Sequence, residues 1–204
     1  MKKSDGAVVG HLFSTSIPEA TLSVLGPRFV AHFLYGLSRC ERTGVWVAHD
    51  HEDRIGGFIA GTLSRRDSYR ELLRRHGPAL LLLGSPGVFS PGVWRWGLSV
   101  ARVRLCGLLK HKYRDATPES AEPDAELLAV AVTEAWRGAG LARRLVEYME
   151  GEFRRWGFRN AYKILTLNSN APSNAFYRKL GARQIAQNRV RNRIVNTYAK
   201  TVGD

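Results

Sequence analysis

One stretch constrains this chain more than any other: a buried-type strand that ends in a glycine turn and runs straight into a long amphipathic helix. Glu126 to Thr133 is dense in Leu, Val and Ala, the composition of a strand covered on both faces. Leu141, Leu145, Tyr148, Met149, Phe153 and Trp156 then recur at helical spacing until Gly157, a residue that suits a helix C-terminus. Between the two lies Arg137-Gly138-Ala139-Gly140-Leu141-Ala142. Two glycines let the main chain curl so that several N–H groups converge on one anion, the helix start adds its positive dipole end, and Arg137 adds a full charge. The pattern predicts a pyrophosphate cradle. Other nucleotide loops are excluded on residues: no Gly-Lys-Ser/Thr ending is present, and a dinucleotide fingerprint would need a glycine where Arg143 stands and an acid where Asn168 stands.

The elements around this unit alternate. Leu22 to Leu37, with Pro27 inside it, reads as a helix on the spacing of Phe29, Val30, Phe33, Leu34 and Leu37. Gly44 to His49 and Ile55 to Leu63, joined by the polar tip Asp50 to Arg54, read as a hairpin. After the long helix come a strand at Ala161 to Asn168, a short helix opened near Pro172 and stopped at Gly181, and strands at Ala182 to Gln187 and Ile194 to Val202. Strands alternating with helices in this order predict an α/β sandwich of the α+β type around a mixed sheet.

Length and composition narrow this to one domain, 1–204, with a real core: 204 residues, 44% hydrophobic and 24% charged, exclude disorder and leave little room for two cores. The formal charge of +13 favours anionic partners, and much of it is local. Residues 64–117 hold eleven Lys or Arg against three Asp or Glu and read as a helix, a loop and a helix inserted into the core. Tyr69 to His76 looks helical, Gly84 to Gly92 breaks regular structure, and Leu98, Ala101, Leu105, Leu108 and Leu109 form a second stripe. Arg65, Arg66, Arg70, Arg74 and Arg75, with Trp94 and Trp96 further on, suit an anionic bilayer surface or a phosphate-bearing substrate, or simply a helical lid with solvated arginines. Thr117 to Asp124 is an acidic linker. Cys40 and Cys106 show no pairing pattern, and neither a signal peptide nor a spanning segment is legible, so the expected compartment is the cytoplasm. His49 and His51, beside Glu52 and Asp53, lack a third distant ligand, so no metal is expected.

The stretch Leu127 to Leu145 together with Asn168 to Ala182 resembles the GCN5-related N-acetyltransferase (GNAT) family. Its Arg/Gln-x-x-Gly-x-Gly/Ala loop is met by Arg137, Gly140 and Ala142, and its second signature by Asn170, Ser173, Tyr177 and Gly181, with Ala182 in place of the usual aromatic. The resemblance implies a GNAT-like three-layer sandwich, a mixed central sheet flanked by helices, with 64–117 a helical insertion shaping the acceptor side. It implies acetyl-CoA as cosubstrate, without a metal, held by Arg137, Gly138, Ala139, Gly140, Leu141 and Ala142, by main-chain groups along Ala129, Val130, Ala131 and Val132, and by Asn170 and Tyr177.

Direct transfer needs a polarised thioester carbonyl, a free amine and a proton for the departing thiolate. Tyr177 is the candidate acid and Glu126 the candidate base, with Glu119, Glu122 and Asp124 behind it. The implied activity is acetyl transfer to a primary amine on a small molecule. Leu25-Gly26-Pro27-Arg28-Phe29 and the basic insert look similar to bacterial members associated with surface polysaccharides, which suggests an amino sugar, free or nucleotide- or lipid-linked. The alternatives are a peptide or protein N-terminus as acceptor, or a non-catalytic basic module on nucleic acid or an anionic membrane. No recognition motif favours nucleic acid. Peripheral contact with the inner membrane face and a homodimer are both compatible with the sequence.

Overall fold

The computed structural model describes residues 1–20, 22–88, 122–190 and 192–203. In chain order the elements are α1 (Gly6–Ser16), α2 (Pro27–Leu37), β1 (Thr43–His49), β2 (Ile55–Thr62), α3 (Arg65–Val88), β3 (Glu126–Val132), α4 (Leu141–Arg155), β4 (Ala161–Leu167), α5 (Ala171–Lys179), β5 (Arg183–Val190) and β6 (Arg193–Thr201). These strands form one mixed sheet in the order β1-β2-β3-β4-β6-β5. Among them β3 and β4 run parallel, as strands joined by a crossover helix must.

Alternation along the strands sorts the core into two layers. Val45, Phe58, Ala60, Ala129 and Ala131 point to one face and pack with Val9, Phe13, Val30, Leu34, Leu37, Leu72 and Leu80 of α1, α2 and α3. Ile59, Leu127, Tyr162, Ile164 and Tyr198 point to the other and pack with Leu145, Met149 and Phe153 of α4 and Tyr177 of α5. The expected three-layer sandwich with a mixed sheet is the observed architecture.

Differences from the sequence reading have local causes. The span from Leu22 to Leu37 is two elements, a short 3-10 turn at Ser23–Leu25 and α2, because Gly26 (φ 86°) breaks the chain and Pro27 then takes the first helical position, where its missing N–H costs nothing. α1 is not read from the sequence, although Val9, Leu12 and Phe13 fall at helical spacing and are buried; Gly10 lets the helix lie directly on α2 beside Pro27 and Ala31. α3 continues to Val88, through the region expected to break at Gly84. Buried Leu72 and Leu80 fix its earlier turns on α2, where Gly36 gives Leu72 and His76 room, so packing overrides propensity. The first part of the 64–117 segment is therefore built into the core layer. The Leu98 to Leu109 stripe, Trp94, Trp96, Cys106 and Glu119 lie outside the described residues.

Within the described helices none is long and apolar enough to cross a membrane. Gly10→Ala would drive its methyl into the carbonyl oxygen of Pro27. It is expected to destabilise the fold by about 1–3 kcal/mol, read as a lower urea midpoint with an unchanged slope.

Candidate active site

The sheet is split in its middle. β3 and β4 are in register only at Glu126↔Lys163 and Leu127↔Ile164, and Lys163 N–H donates to the Ala125 carbonyl at 2.8 Å just below. Beyond Leu127 the two strands part. On its other side β3 stays paired with β2, with Leu128 as an extra residue between the pairs Gly61↔Leu127 and Ala60↔Ala129. Such a bulge bends a strand and increases its twist, which turns β3 away from β4.

Alternation says which main-chain groups face this wedge. Thr133 N–H donates to the Gly56 carbonyl at 2.9 Å, so Thr133 addresses β2. Val132 then faces away from β2, Ala131 toward it and Val130 away. Of the four residues expected to lie along the coenzyme arm, Val130 and Val132 thus direct N–H and C=O into the wedge. Ala129 and Ala131 are registered on Ala60 and Phe58 of β2, with their methyls buried under the α1 layer.

At the end of β3 the chain makes a 3-10 turn at Glu134–Trp136 and enters the glycine turn. Gly138 (φ 79°) and Gly140 (φ 76°) are both left-handed, a conformation that other residues adopt only under strain. A Cβ at either would meet nothing within 4 Å, so it is the backbone conformation and not crowding that calls for glycine. Gly140 is the N-cap of α4 and no side chain caps the helix. The first intrahelical bond is Arg144 N–H to the Gly140 carbonyl, 3.2 Å, which leaves the earlier amides of Leu141, Ala142 and Arg143 without helical acceptors. Arg137 is exposed beside them. The first turn also carries Arg143 and Arg144 and no acid. Cations at a helix N-terminus oppose its dipole, and an anion resolves that conflict. The sequence expectation rests on Arg137 alone; the two following arginines are a readable signal that it passes over.

Behind the loop, a pocket of about 300 Å³ lies between α4 and the end of α5, lined by Arg143, Glu147, Glu150, Lys179, Gly181 and Lys200 among others. Its floor is a buried set: Glu150 Oε1 accepts from Tyr162 hydroxyl at 2.7 Å and from Lys200 Nζ at 2.8 Å. A second cleft, about 590 Å³, runs along the edge of β1 past Trp46, Trp136, Arg144 and Tyr148.

Tyr177, near the end of α5, is buried against Phe176 (5.3 Å between ring centres) and Tyr198 (6.3 Å). Burial pushes its hydroxyl up to about 12, so it is a phenol throughout the neutral range, the form an acid must have. Asn170 caps α5: its Oδ1 accepts from Ser173 N–H at 3.1 Å, leaving its Nδ2 as a donor at the mouth of the wedge.

A second asparagine of α5, Asn174, holds this region together, and nothing in the sequence singles it out. It is buried; its Nδ2 donates to the carbonyls of Leu167 (2.8 Å) and Asn170 (2.7 Å), and its Oδ1 accepts from Asn196 Nδ2 and Tyr198 hydroxyl, both at 2.9 Å. One side chain thus fastens the β4–α5 turn to β6 and orients the tyrosine that packs on Tyr177. The fixed ends of these bonds are what place Asn170 and Tyr177 relative to β4.

Glu126 opens β3 at the foot of the wedge and is 5% exposed. Arg65 Nη1 stands 3.1 Å from Oε2 and donates to Oε1 across 3.5 Å; Lys163 Nζ is 3.9 Å from Oε2. Neither cation is aligned to hydrogen-bond Oε2, which is buried without a donor among the described residues. Burial raises the carboxyl above its ordinary range, Arg65 and then Lys163 pull it back, and Glu122 raises it again. Glu122 is within 3.8 Å of Lys163. Glu126 and Tyr177 lie in opposite layers, since Lys163, the register partner of Glu126, alternates with Tyr162 and Ile164 of the Tyr177 layer.

In the hairpin tip, His49 Nδ1 is 3.0 Å from Asp53 Oδ1 and its Nε2 is 3.9 Å from Asp5 Oδ1. His51 instead faces Glu52, and among the described residues no three such side chains converge as a metal site would require. On α3, Arg66, Arg70, Arg74 and Arg75 lie toward solvent, while Arg65 turns in to Glu126.

Comparison with known proteins agrees with this geometry. Residues 97–182 match the model of the Acetyltransferase (GNAT) family. No curated protein matches the chain. Among solved structures, SsHAT covers 100% of this chain and 96% of its own at 17% identity and a TM-score of 0.62. The Salmonella typhimurium protein yncA, solved with its cofactor acetyl-CoA, covers 100% and 92% at 14% identity and a TM-score of 0.58. An acetyltransferase from Thermus thermophilus covers 98% and 93% at 14% identity and a TM-score of 0.53. These likenesses show that the fold is the one GNAT acetyltransferases use, and the matched segment holds both signatures noted in the sequence.

Asn174→Leu would leave the Tyr198 hydroxyl without an acceptor, while the Leu167 and Asn170 carbonyls keep their backbone donors and Asn196 Nδ2 keeps Asn168 Oδ1. It is expected to cost about 1–3 kcal/mol, seen in thermal unfolding.

Proposed function

We propose that this chain, with a GNAT acetyltransferase fold and family match, is an N-acyltransferase that moves an acetyl group from acetyl-CoA directly to the primary amine of a small molecule. The observation that carries the reading is the alignment of the wedge with the cradle: β3 and β4 part at Leu127, and the same strand leads, one turn past its end, to an uncapped helix start flanked by three arginines. A diphosphate at the first turn of α4 would satisfy the amides of Leu141, Ala142 and Arg143 and the charges of Arg137, Arg143 and Arg144. The arm attached to it would then lie against Val130 and Val132 as an extra strand lies against an edge.

Acetyl-CoA supplies an activated acetyl group as a thioester. The chain's residues supply the rest. Main-chain N–H groups of β3 in the wedge can polarise the thioester carbonyl, a fixed donor needing no reorganisation. Glu126 takes a proton from the acceptor amine, directly or through water, on the layer of α1, α2 and α3. The C–N bond forms as the C–S bond breaks, and Tyr177, across the sheet, gives its proton to the departing thiolate. A carboxyl and a phenol on opposite layers fit two substrates arriving from opposite faces.

The acceptor class is our reading of charge. Arg66, Arg70 and Arg74, on α3 beyond the Glu126 contact, suit an acceptor that carries phosphate, as a nucleotide- or lipid-linked amino sugar does. A screen of amines by free-thiol release from acetyl-CoA, with glucosamine, its phosphates and peptide N-termini as arms, tests this. Faster release with peptides than with any sugar would replace the amino sugar by a peptide.

Arg137→Glu is expected to weaken coenzyme A binding about tenfold or more, about 1.4 kcal/mol, by calorimetry; equal affinity would displace the cradle from this loop. Tyr177→Phe is expected to lower kcat about 100-fold with the KM for acetyl-CoA within about twofold. Unchanged turnover would remove the tyrosine from the reaction.

A further inference from the structure

We propose that Arg65, in the first turn of α3, is a positioning residue for Glu126, which it holds as an ionised carboxylate with one oxygen, Oε2, buried without a hydrogen-bond donor among the described residues. This rests on the reading of Glu126 as the base and adds a second residue to that role, from a helix far away in sequence.

The geometry is specific. Arg65 is separated from Glu126 by 61 positions, yet its guanidinium reaches both carboxylate oxygens, at 3.5 Å with hydrogen-bond alignment to Oε1 and at 3.1 Å without it to Oε2. The charged and titratable groups that face the carboxylate among the described residues come from three directions. From α3 come Arg65 and Tyr69, the latter raised to about 12 by burial and by Glu126 itself, and so a neutral phenol. From β4 comes Lys163. From the segment before β3 comes Glu122, which shares Lys163 with Glu126. On β2 the opposing residue is Thr62, whose hydroxyl is already engaged with those of Thr43 at 3.0 Å and Ser68 at 2.7 Å. Lys163 therefore divides its charge between two carboxylates, and Arg65 is the cation committed to one.

A buried acid left alone takes up a proton and is useless as a base at neutral pH. An apolar pair at this spot would stabilise the fold as well or better than a buried ion pair. What the pair provides instead is a cation committed to this carboxylate, with Oε2 left without a donor among the described residues. The neighbouring hydroxyl cluster of Thr43, Thr62 and Ser68 locks the start of α3 to β1 and β2, so Arg65 enters from a fixed point.

The test follows the Glu126 side-chain carboxyl by carbon NMR in full-length protein labelled at glutamate, with Glu126→Gln identifying the resonance. In Arg65→Gln the titration midpoint of Glu126 is expected to move to higher pH, because the charged form loses its committed cation, and in Arg65→Lys to stay near the wild-type value. A midpoint that is unchanged in Arg65→Gln, or that moves down, overturns the proposal, and Arg65→Met serves in place of Gln if that variant does not fold. Thiol release from acetyl-CoA with glucosamine 6-phosphate as amine probe reads the base separately: a Glu126→Gln variant as fast as wild type would end the base reading while leaving the NMR result standing on its own.

Discussion

The structure depends on a sheet that fails to close. A parallel pair normally runs the length of both strands, and here it stops after Glu126 and Leu127. The unmade ladder leaves the main-chain groups of Val130 and Val132 without strand partners among the described residues, a state that a protein tolerates only where something else supplies the bonds. A coenzyme arm is a good partner because it carries amides of its own and lies extended. The bulge at Leu128 and the buried foot of the wedge are thus two halves of one device: the first turns β3 away, the second stops the split from running down to the core.

Electrostatics at the two ends of β3 run in opposite directions. At its start a buried carboxylate is surrounded by two cations; at its end three arginines gather around a helix start whose dipole is also positive. The first arrangement is internally compensated and can be dry. The second is not, since the described residues bring no acid to the first turn of α4, and it calls for a polyanion from outside. The general surplus of +13 is therefore not uniform in place: the charges at 137, 143 and 144 gather at the start of α4, while the arginines at 66, 70 and 74 face outward from α3.

What can be read in the sequence is whatever rests on local pattern. The buried run of β3, the stripe of α4 and the glycine turn each carry their signal within a few residues, and the sandwich follows from their order. Long-range pairings carry no such mark. Nothing in the residues near Glu126 points to Arg65, because the contact is made by the folding of α3 back over β2. Asn174 reads as one more polar residue in a short helix until Asn196 and Tyr198 arrive from β6. α1 is a different case: Val9, Leu12 and Phe13 form a short stripe, and what only the structure shows is its close crossing on α2 through Gly10. The division of Ala129 to Val132 into wedge-facing and β2-facing residues also requires the register, since a one-residue shift exchanges the two sets.

On the proposed reaction the two layers also separate the chemistry of the two substrates. Tyr177 shares its layer with α4 and the pocket between α4 and α5, so the proposed acid and the proposed phosphate site rest on one packed layer built on Met149, Phe153 and Tyr162. Glu126 and Arg65 belong to the other, built on α1, α2 and α3. On the proposed reaction, a substitution in either core layer has a directional consequence: loosening the α4 layer would disturb coenzyme grip and thiolate protonation, and loosening the α3 attachment would disturb proton removal from the amine. The sheet is common to both, and within it the short paired foot at Glu126 and Leu127 joins the half that carries β3 to the half that carries β4. The distance between Tyr177 and Glu126 is thus tied to two residue pairs and the hydrogen bond from Lys163 to Ala125 beneath them.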